Sequence, residues 1–316
     1  MSTTVKIGTT LIVIILLMIA FVFIDSGLDF DYIIPKRLVR LATIILASIC
    51  LAVSAIVFQT IVGNRILVPS VMGYEAVYLL WQALLLFLLG AQGQNLLSSG
   101  GSFIFSLVLM LSYSWALHAW LLPRCKQDIF KLLLFGLVLT MVISTATQYI
   151  QLSISPSEFS IFQGLSYTSF NRSKSDTLLY GSIVVLVTLW FGYKKLSLLD
   201  VMALGREQSM SLGVDHRRYV KLYLALIAIL VAVSTSLVGP TAFMGVFVAN
   251  IAYALASRHQ HKILLPLGCA ISIVIFLTAQ LFVEHVFNYK TSVSILVNLV
   301  CGTYFILLIV RSRGTS

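Results

Sequence analysis

Side chains able to do acid–base, nucleophilic or metal chemistry are few in this sequence, and they do not converge. The five histidines, His118, His216, His259, His261 and His285, are scattered. The "HQH" run at 259–261 has a spacing that could hold a metal, although a pair of solvated loop histidines is the more ordinary reading. Cys50, Cys269 and Cys301 fall in apolar runs and Cys125 in a polar one, with no CxxC and no Cys/His pairing. They are expected to be small core residues, not a disulfide framework or a zinc site. No Gly-x-x-x-x-Gly-Lys-Ser/Thr loop and no HExxH occurs, so the chain is expected to have no catalytic or metal-ligating residue, to bind no cofactor and to hydrolyse no ATP by itself. What does recur is uncharged polarity. Thr140, Ser144, Thr147 and Gln151 are spaced by 4, 3 and 4, on one helical face with Gly136 one turn earlier. That face suits a wet path between helices. It suits equally well hydrogen bonds to neighbouring helices or back to the i−4 carbonyl.

The elements that carry these residues follow from composition. Hydrophobic residues make up 59% and charged ones 10%, with a mean hydropathy of +1.01, against about a quarter charged in soluble domains. The chain is therefore an all-α polytopic membrane protein. At roughly 20 residues per crossing, ten spans are predicted near 7–24, 38–63, 71–90, 103–122, 130–150, 177–194, 219–238, 242–257, 263–286 and 291–310, in one domain covering 1–316. Period-2 alternation, the mark of a barrel strand, is missing. The first run lacks a small-residue cleavage signature and reads as a retained span. "SISPSEFSIFQGLSYTSFNRSKSD" at 153–176 is too polar to cross. Phe159 and Phe162 ahead of Gly164 suit a half-helix over about 156–166 that dips into the outer mouth, or a surface loop. Fifteen of the 21 basic residues fall on the N-terminal side of the membrane and six on the other, which predicts that both termini are cytoplasmic. This bias accounts for the net charge of +10 without nucleic acid, and it favours anionic membrane lipid at that face.

One segment breaks the apolar pattern. "DVMALGREQSMSLGVDHRRYVK" at 200–221 holds seven of the chain's formal charges. Leu198, Leu199, Met202 and Ala203 share a face before Gly205, and a second short segment reaches Leu212 before Gly213. Two short helices over about 196–218 are predicted, each stopped by a left-handed glycine. Helices of two turns are unstable alone in water, so they must rest on the span ends and on a partner. Their mixed charges with exposed methionines suit a protein better than a lipid surface, where the polar face is usually basic throughout.

At this level of detail the sequence resembles a known family. "ALG" at 203–205, "SLGVD" at 211–215, "VAVSTSLVGPTAFMGVFVANIAY" at 231–253 and "LLPLG" at 264–268 are similar to the permease subunits of bacterial ABC importers for iron-siderophores, haem and vitamin B12. "RLVR" at 37–40, Gln59, Asn64, Pro69 and Gly73 follow the same order over nearly the whole chain. "NRILVPSVMG" in place of Asn-Pro-Leu-Ala, Ala249 and Asn250 in place of Pro-His, and Glu284 where a basic residue is expected are departures. The first two resemble the ferric-siderophore branch, whose permeases work beside a second, different permease.

The resemblance implies a type II ABC importer permease in the bacterial cytoplasmic membrane, moving ferric siderophore, with haem or vitamin B12 as the alternative cargo. It implies that Leu204, Gly205, Arg206, Leu212 and Gly213 couple to ATPase subunits, which use ATP and Mg. Arg37 and Arg40 would dock a periplasmic or lipoprotein binding protein, a contact that Glu284 alters. Gln59 and Asn64 join Thr140, Ser144, Thr147 and Gln151 as path residues. An ion-coupled secondary transporter would need ionisable residues at mid-bilayer, and a membrane enzyme an acid–base pair or metal. Neither accounts for the charged insert.

Overall fold

A computed structural model describes residues 3–24, 31–90, 99–121, 129–241, 244–256 and 260–313. Cys125 and His259 lie outside the described residues. Among those residues there are thirteen α-helices and no strand: α1 (Thr3–Phe23), α2 (Ile33–Val62), α3 (Tyr74–Leu89), α4 (Ser99–Ala116), α5 (Ile129–Gln151), α6 (Pro156–Leu165), α7 (Ser175–Tyr193), α8 (Leu196–Met202), α9 (Arg206–Ser211), α10 (His216–Val238), α11 (Met244–Leu255), α12 (His261–Leu281) and α13 (Val293–Arg313). A 3-10 turn at Pro69–Met72 precedes α3, and π turns extend α4 and α12. Each of the ten predicted spans falls on one apolar helix. Six are long and apolar enough to cross a membrane, and α1, α3, α11 and α13 contribute shorter apolar stretches. The remaining three, α6, α8 and α9, are short.

The bundle is organised around α2. At 30 residues it is about 45 Å long, longer than a ~30 Å hydrocarbon core, and α1, α7, α8, α10, α11 and α12 all pack on it. Lipid tails are as apolar as leucine, so little drives helices together in a bilayer except close backbone approach and polar contacts. The α2 sequence supplies the former: Ala47, Ser48, Cys50, Ala52 and Ala55 are all buried. Opposite them, α11 has Gly245, where a Cβ would stand 2.9 Å from Ala55 Cβ and 3.3 Å from Val68 Cγ1. Neither of those atoms lies at the end of a flexible chain. By contrast α5 and α7 carry their large apolar side chains outward: Phe135, Val138, Met141 and Val142 on one, Leu179, Ile183, Leu186 and Trp190 on the other.

Three helix ends inside this assembly are closed by charged side chains. Arg37 donates to the carbonyls of Phe21 (3.0 Å), Val22 (3.4 Å) and Ile24 at the end of α1. Glu75 Oε1 accepts from the backbone N–H of Thr241 (3.0 Å) and from the hydroxyls of Thr241 (3.3 Å) and Ser70 (3.1 Å), at the break that starts α11. Arg172 donates to the carbonyls of Gly164, Leu165 (3.2 Å) and Tyr167 (2.7 Å) at the end of α6. Each sign matches its helix end: the anion accepts from an N–H at a helix start, and the cations donate to carbonyls at helix ends.

Gly245→Val is expected to destabilise the α2–α11 contact by about 1–3 kcal/mol, the range for overpacking a filled core. Gly302→Ala, where nothing lies within 4 Å of the added Cβ, is expected to be neutral. Thermal unfolding of the detergent-solubilised proteins checks this, and equal midpoints for both variants would refute the close-packing account of α2.

Candidate functional site

The polar face of α5 divides between two roles. Thr140 is turned into the packing: its hydroxyl donates to Gly136 O (2.7 Å) and to Val71 O (3.2 Å) of the turn before α3. One to three turns further on, Ser144, Thr147 and Gln151 line a cavity of about 360 Å³ whose opposite wall is Phe159, Gln163 and Ser166 at α6. Thr147 donates to Ile143 O (2.9 Å), the i−4 bond that leaves its oxygen lone pairs free to accept. Gln59 and Asn64 lie elsewhere, at the far end of α2. Gln59 is 2% exposed and donates to Arg65 O (2.8 Å), which also accepts from Asn250 (3.2 Å). Asn64 accepts from the Ile66 N–H (2.9 Å) and stands on the surface. Of the four residues that spacing grouped, three share one cavity, and the two that the resemblance added lie apart from it.

The helix facing that cavity, α6, is fixed at both ends. Pro at its first position and the Ser155/Glu158 capping box start it. The Ser155 backbone N–H and hydroxyl (2.9 and 2.8 Å) hold the Glu158 carboxyl below the usual carboxylate range. A lowered folded-state pKa means that this cap is intact above the ordinary Glu range and is released as pH falls through the lowered value. At the other end Arg172 gathers the terminal carbonyls, and Ser169 N–H (2.9 Å to Val238 O) and Ser173 (3.2 Å to Leu237 O) tie the following loop to the end of α10. Phe162 packs on Ala83 and Leu86 of α3.

The charged insert forms α8 and α9. Both glycines have positive φ, Gly213 at 80° and Gly205 at 99° with ψ 169°. Gly205 is therefore not the left-handed stop expected from sequence: it opens α9 in a region open essentially to glycine alone. Leu199, Met202 and Ser209 are buried, while Leu204, Met210 and Leu212 are exposed beside Arg206. A hollow of about 420 Å³ is lined by Arg206, Met210, Gly213, Asp215, His216 and Arg217.

Under α8 lies a contact that sequence reasoning missed. Asp200 Oδ1 is 2.5 Å from His261 Nδ1 and accepts the His261 backbone N–H at 2.9 Å, so it caps α12. His261 Nε2 is 2.9 Å from the Thr60 hydroxyl of α2, which is 3.4 Å from the Tyr253 hydroxyl of α11. The solvated reading of His261 is thus corrected: at 2% exposure it is interior. The available signal was Asp200 itself, a lone acid beside Leu199 and one turn after Leu196, on the face that those leucines mark as buried.

At the opposite end of α2, Arg37 and Arg40 do not form the expected pair of surface cations. Arg37 is 7% exposed. Besides capping α1 it pairs with Glu284 at 3.3 Å, and Arg40 stands 3.8 Å from the same carboxylate and 3.3 Å from the Tyr289 hydroxyl. Arg37 is turned inward, toward the Glu284 carboxylate and three carbonyls. Arg40 keeps partial exposure.

With this geometry established, similarity to known proteins can be stated. The chain is 36% identical over 293 residues to the petrobactin import system permease protein YclO of Bacillus subtilis, covering 93% of each chain. It is 31% identical over 293 residues to the petrobactin import system permease protein FatC of Bacillus anthracis, covering 92% of this chain and 82% of the relative. Its fold is similar, with a TM-score of 0.84 at 19% identity and 98% and 99% coverage, to a transporter solved in an inward-facing conformation and assigned to the metal-chelate ABC type. Residues 2–311 match the FecCD transport family, and this chain belongs to that family.

Proposed function

We propose that this chain is the membrane permease of an ATP-driven importer that carries ferric siderophore across the bacterial cytoplasmic membrane. The observation that carries the reading is its end-to-end similarity to two petrobactin import permeases. The cavity between α5 and α6 supports it. Its polar groups are uncharged, and a path that solvates an anionic chelate without fixed countercharge lets cargo enter and leave, as conduction requires. Specificity then resides in the binding protein.

The partners follow from the exposed surfaces. ATPase subunits bind at Leu204, Gly205, Arg206, Leu212 and Gly213, consuming ATP and Mg, while this chain does no covalent chemistry. A second, different permease completes the path. The binding protein docks at the α6 end, with Arg40 as the direct contact and Arg37 as the residue that holds α1 and Glu284 in place. Both termini and α8–α9 are cytoplasmic, in keeping with the basic-residue bias. Closure of the ATPase dimer moves α8, and the Asp200–His261–Thr60 contacts pass that movement to α12 and α2.

Four measurements test the reading. Uptake of radiolabelled ferric petrobactin, normalised to complex in the membrane, is expected to be lost on deletion of the chain and restored by the wild type; restoration of haem or vitamin B12 uptake alone would reverse the cargo. Ser144→Trp and Thr147→Trp are expected to block uptake with assembly retained, whereas Val142→Trp, about 160° from Ser144 around the helix and outward-facing, is expected to spare it. Gly205→Pro and Gly213→Pro, which fix φ near −65°, should leave insertion intact and uncouple ATP hydrolysis from uptake. Asp200→Ala removes a charged hydrogen bond of about 1.5–3 kcal/mol, so uptake should fall roughly tenfold while ATPase binding persists. Normal coupling in that variant would show that α8 acts through other contacts.

A further inference from the structure

Two lateral grooves open between the helices, and they differ in charge. One, of about 700 Å³ between α1, α11, α12 and α13, is apolar with no charged residue in its lining. The other, of about 690 Å³, runs between α2, α7, α10 and α12, within the roughly 300–1,000 Å³ of ordinary ligand sites. Its walls are Val53, Leu186, Leu226, Leu230 and Cys269, and its floor at one end is Leu196 and Leu199 of α8 with His261. Along α7 it extends from Leu186 to Tyr193, about 10 Å of helix axis.

The mouth at the α8 end is basic and aromatic. Lys262 lines it and is exposed. Lys194 Nζ lies 3.6 Å above the ring of Trp190, which with Tyr193 forms the groove's outer lip. Lys195 is directed elsewhere, 5.8 Å from the Tyr219 ring, while its carbonyl accepts from the Tyr223 hydroxyl (2.7 Å) at the groove wall. Trp and Tyr at one level with two lysine ammonium groups are the marks of the membrane–water boundary, and a long apolar slot leads from that boundary into the bilayer. An apolar chain with an anionic head fits both parts at once: the slot takes the hydrocarbon, and the lysines attract the phosphate. A soluble protein segment would meet the slot only through lipid.

We propose that this groove binds an anionic phospholipid, one acyl chain lying between α7 and α12 and the headgroup phosphate meeting Lys194 and Lys262. The bound chain touches Leu196 and Leu199, so the lipid forms part of the bed on which α8 rests. The site depends only on the chain spanning a bilayer, not on the cargo or on the ATPase contact.

The test uses the assembled permease complex reconstituted in vesicles of phosphatidylglycerol and phosphatidylcholine, re-extracted in mild detergent and examined by native mass spectrometry for retained lipid. Phosphatidylglycerol is expected to be enriched several-fold over its bulk fraction. K194Q/K262Q should lose that enrichment while K194R/K262R keeps it. Gly192→Leu, whose added Cβ would meet only Leu226 Cδ1 at 3.8 Å, should fill the slot and lose the retained phosphatidylglycerol although both lysines remain. No enrichment in the wild type, or equal enrichment in K194Q/K262Q, overturns the proposal. Retention of phosphatidylglycerol in Gly192→Leu also overturns it, since the chain would then lie elsewhere. Because lipid retention is read without transport, these outcomes are independent of whether ferric siderophore is the cargo.

Discussion

Every backbone N–H and C=O that lies away from water needs a partner, and in a bilayer an unmet one costs several kcal/mol. Continuous helices satisfy the rule without help. This bundle is not built of continuous helices alone. Here the interruptions are closed by three ions: Arg37 on the carbonyls of α1, Glu75 on the start of α11 and Arg172 on the carbonyls of α6. Arg172 and the Ser169 and Ser173 bonds join α6 and the loop after it to the end of α10, and so help to place the wall of the cavity facing Ser144 and Thr147.

The same economy joins the two ends of the molecule. Its small buried side chains let α2 sit against six other helices, so a displacement at either end is felt along its length as packing rather than as bending. At one end Thr60 meets His261, which is held by Asp200 of α8. At the other, Arg37 and Arg40 converge on Glu284 at the end of α12. Thus α2 and α12 are tied to each other by polar contacts at both ends and by apolar contact between.

Glu284 shows how one charge redistributes a surface. It stands 3.3 Å from Arg37 and 3.8 Å from Arg40. An acid there attracts them, and Arg37 becomes a structural residue with four acceptors. The surface left at that end is less basic than the arginine count suggests.

Apolar run length determined the membrane class and the number of apolar helices from sequence alone, because burial in lipid acts on each segment independently. The two short helices of the insert and the half-helix were legible for a related reason: Gly205, Gly213, and Phe159 and Phe162 ahead of Gly164 are local signals. What tertiary structure alone decided was which polar residues meet. Thr140 and Ser144 are one turn apart with similar chemistry, yet one is packing and the other lines a cavity, because Val71 O happens to face the first. Asp200 and His261, or Arg37 and Glu284, are separated by 61 and 247 residues. No periodicity encodes such pairs, since hydrogen bonds are made in space between helices whose rotation and depth are set by the whole bundle.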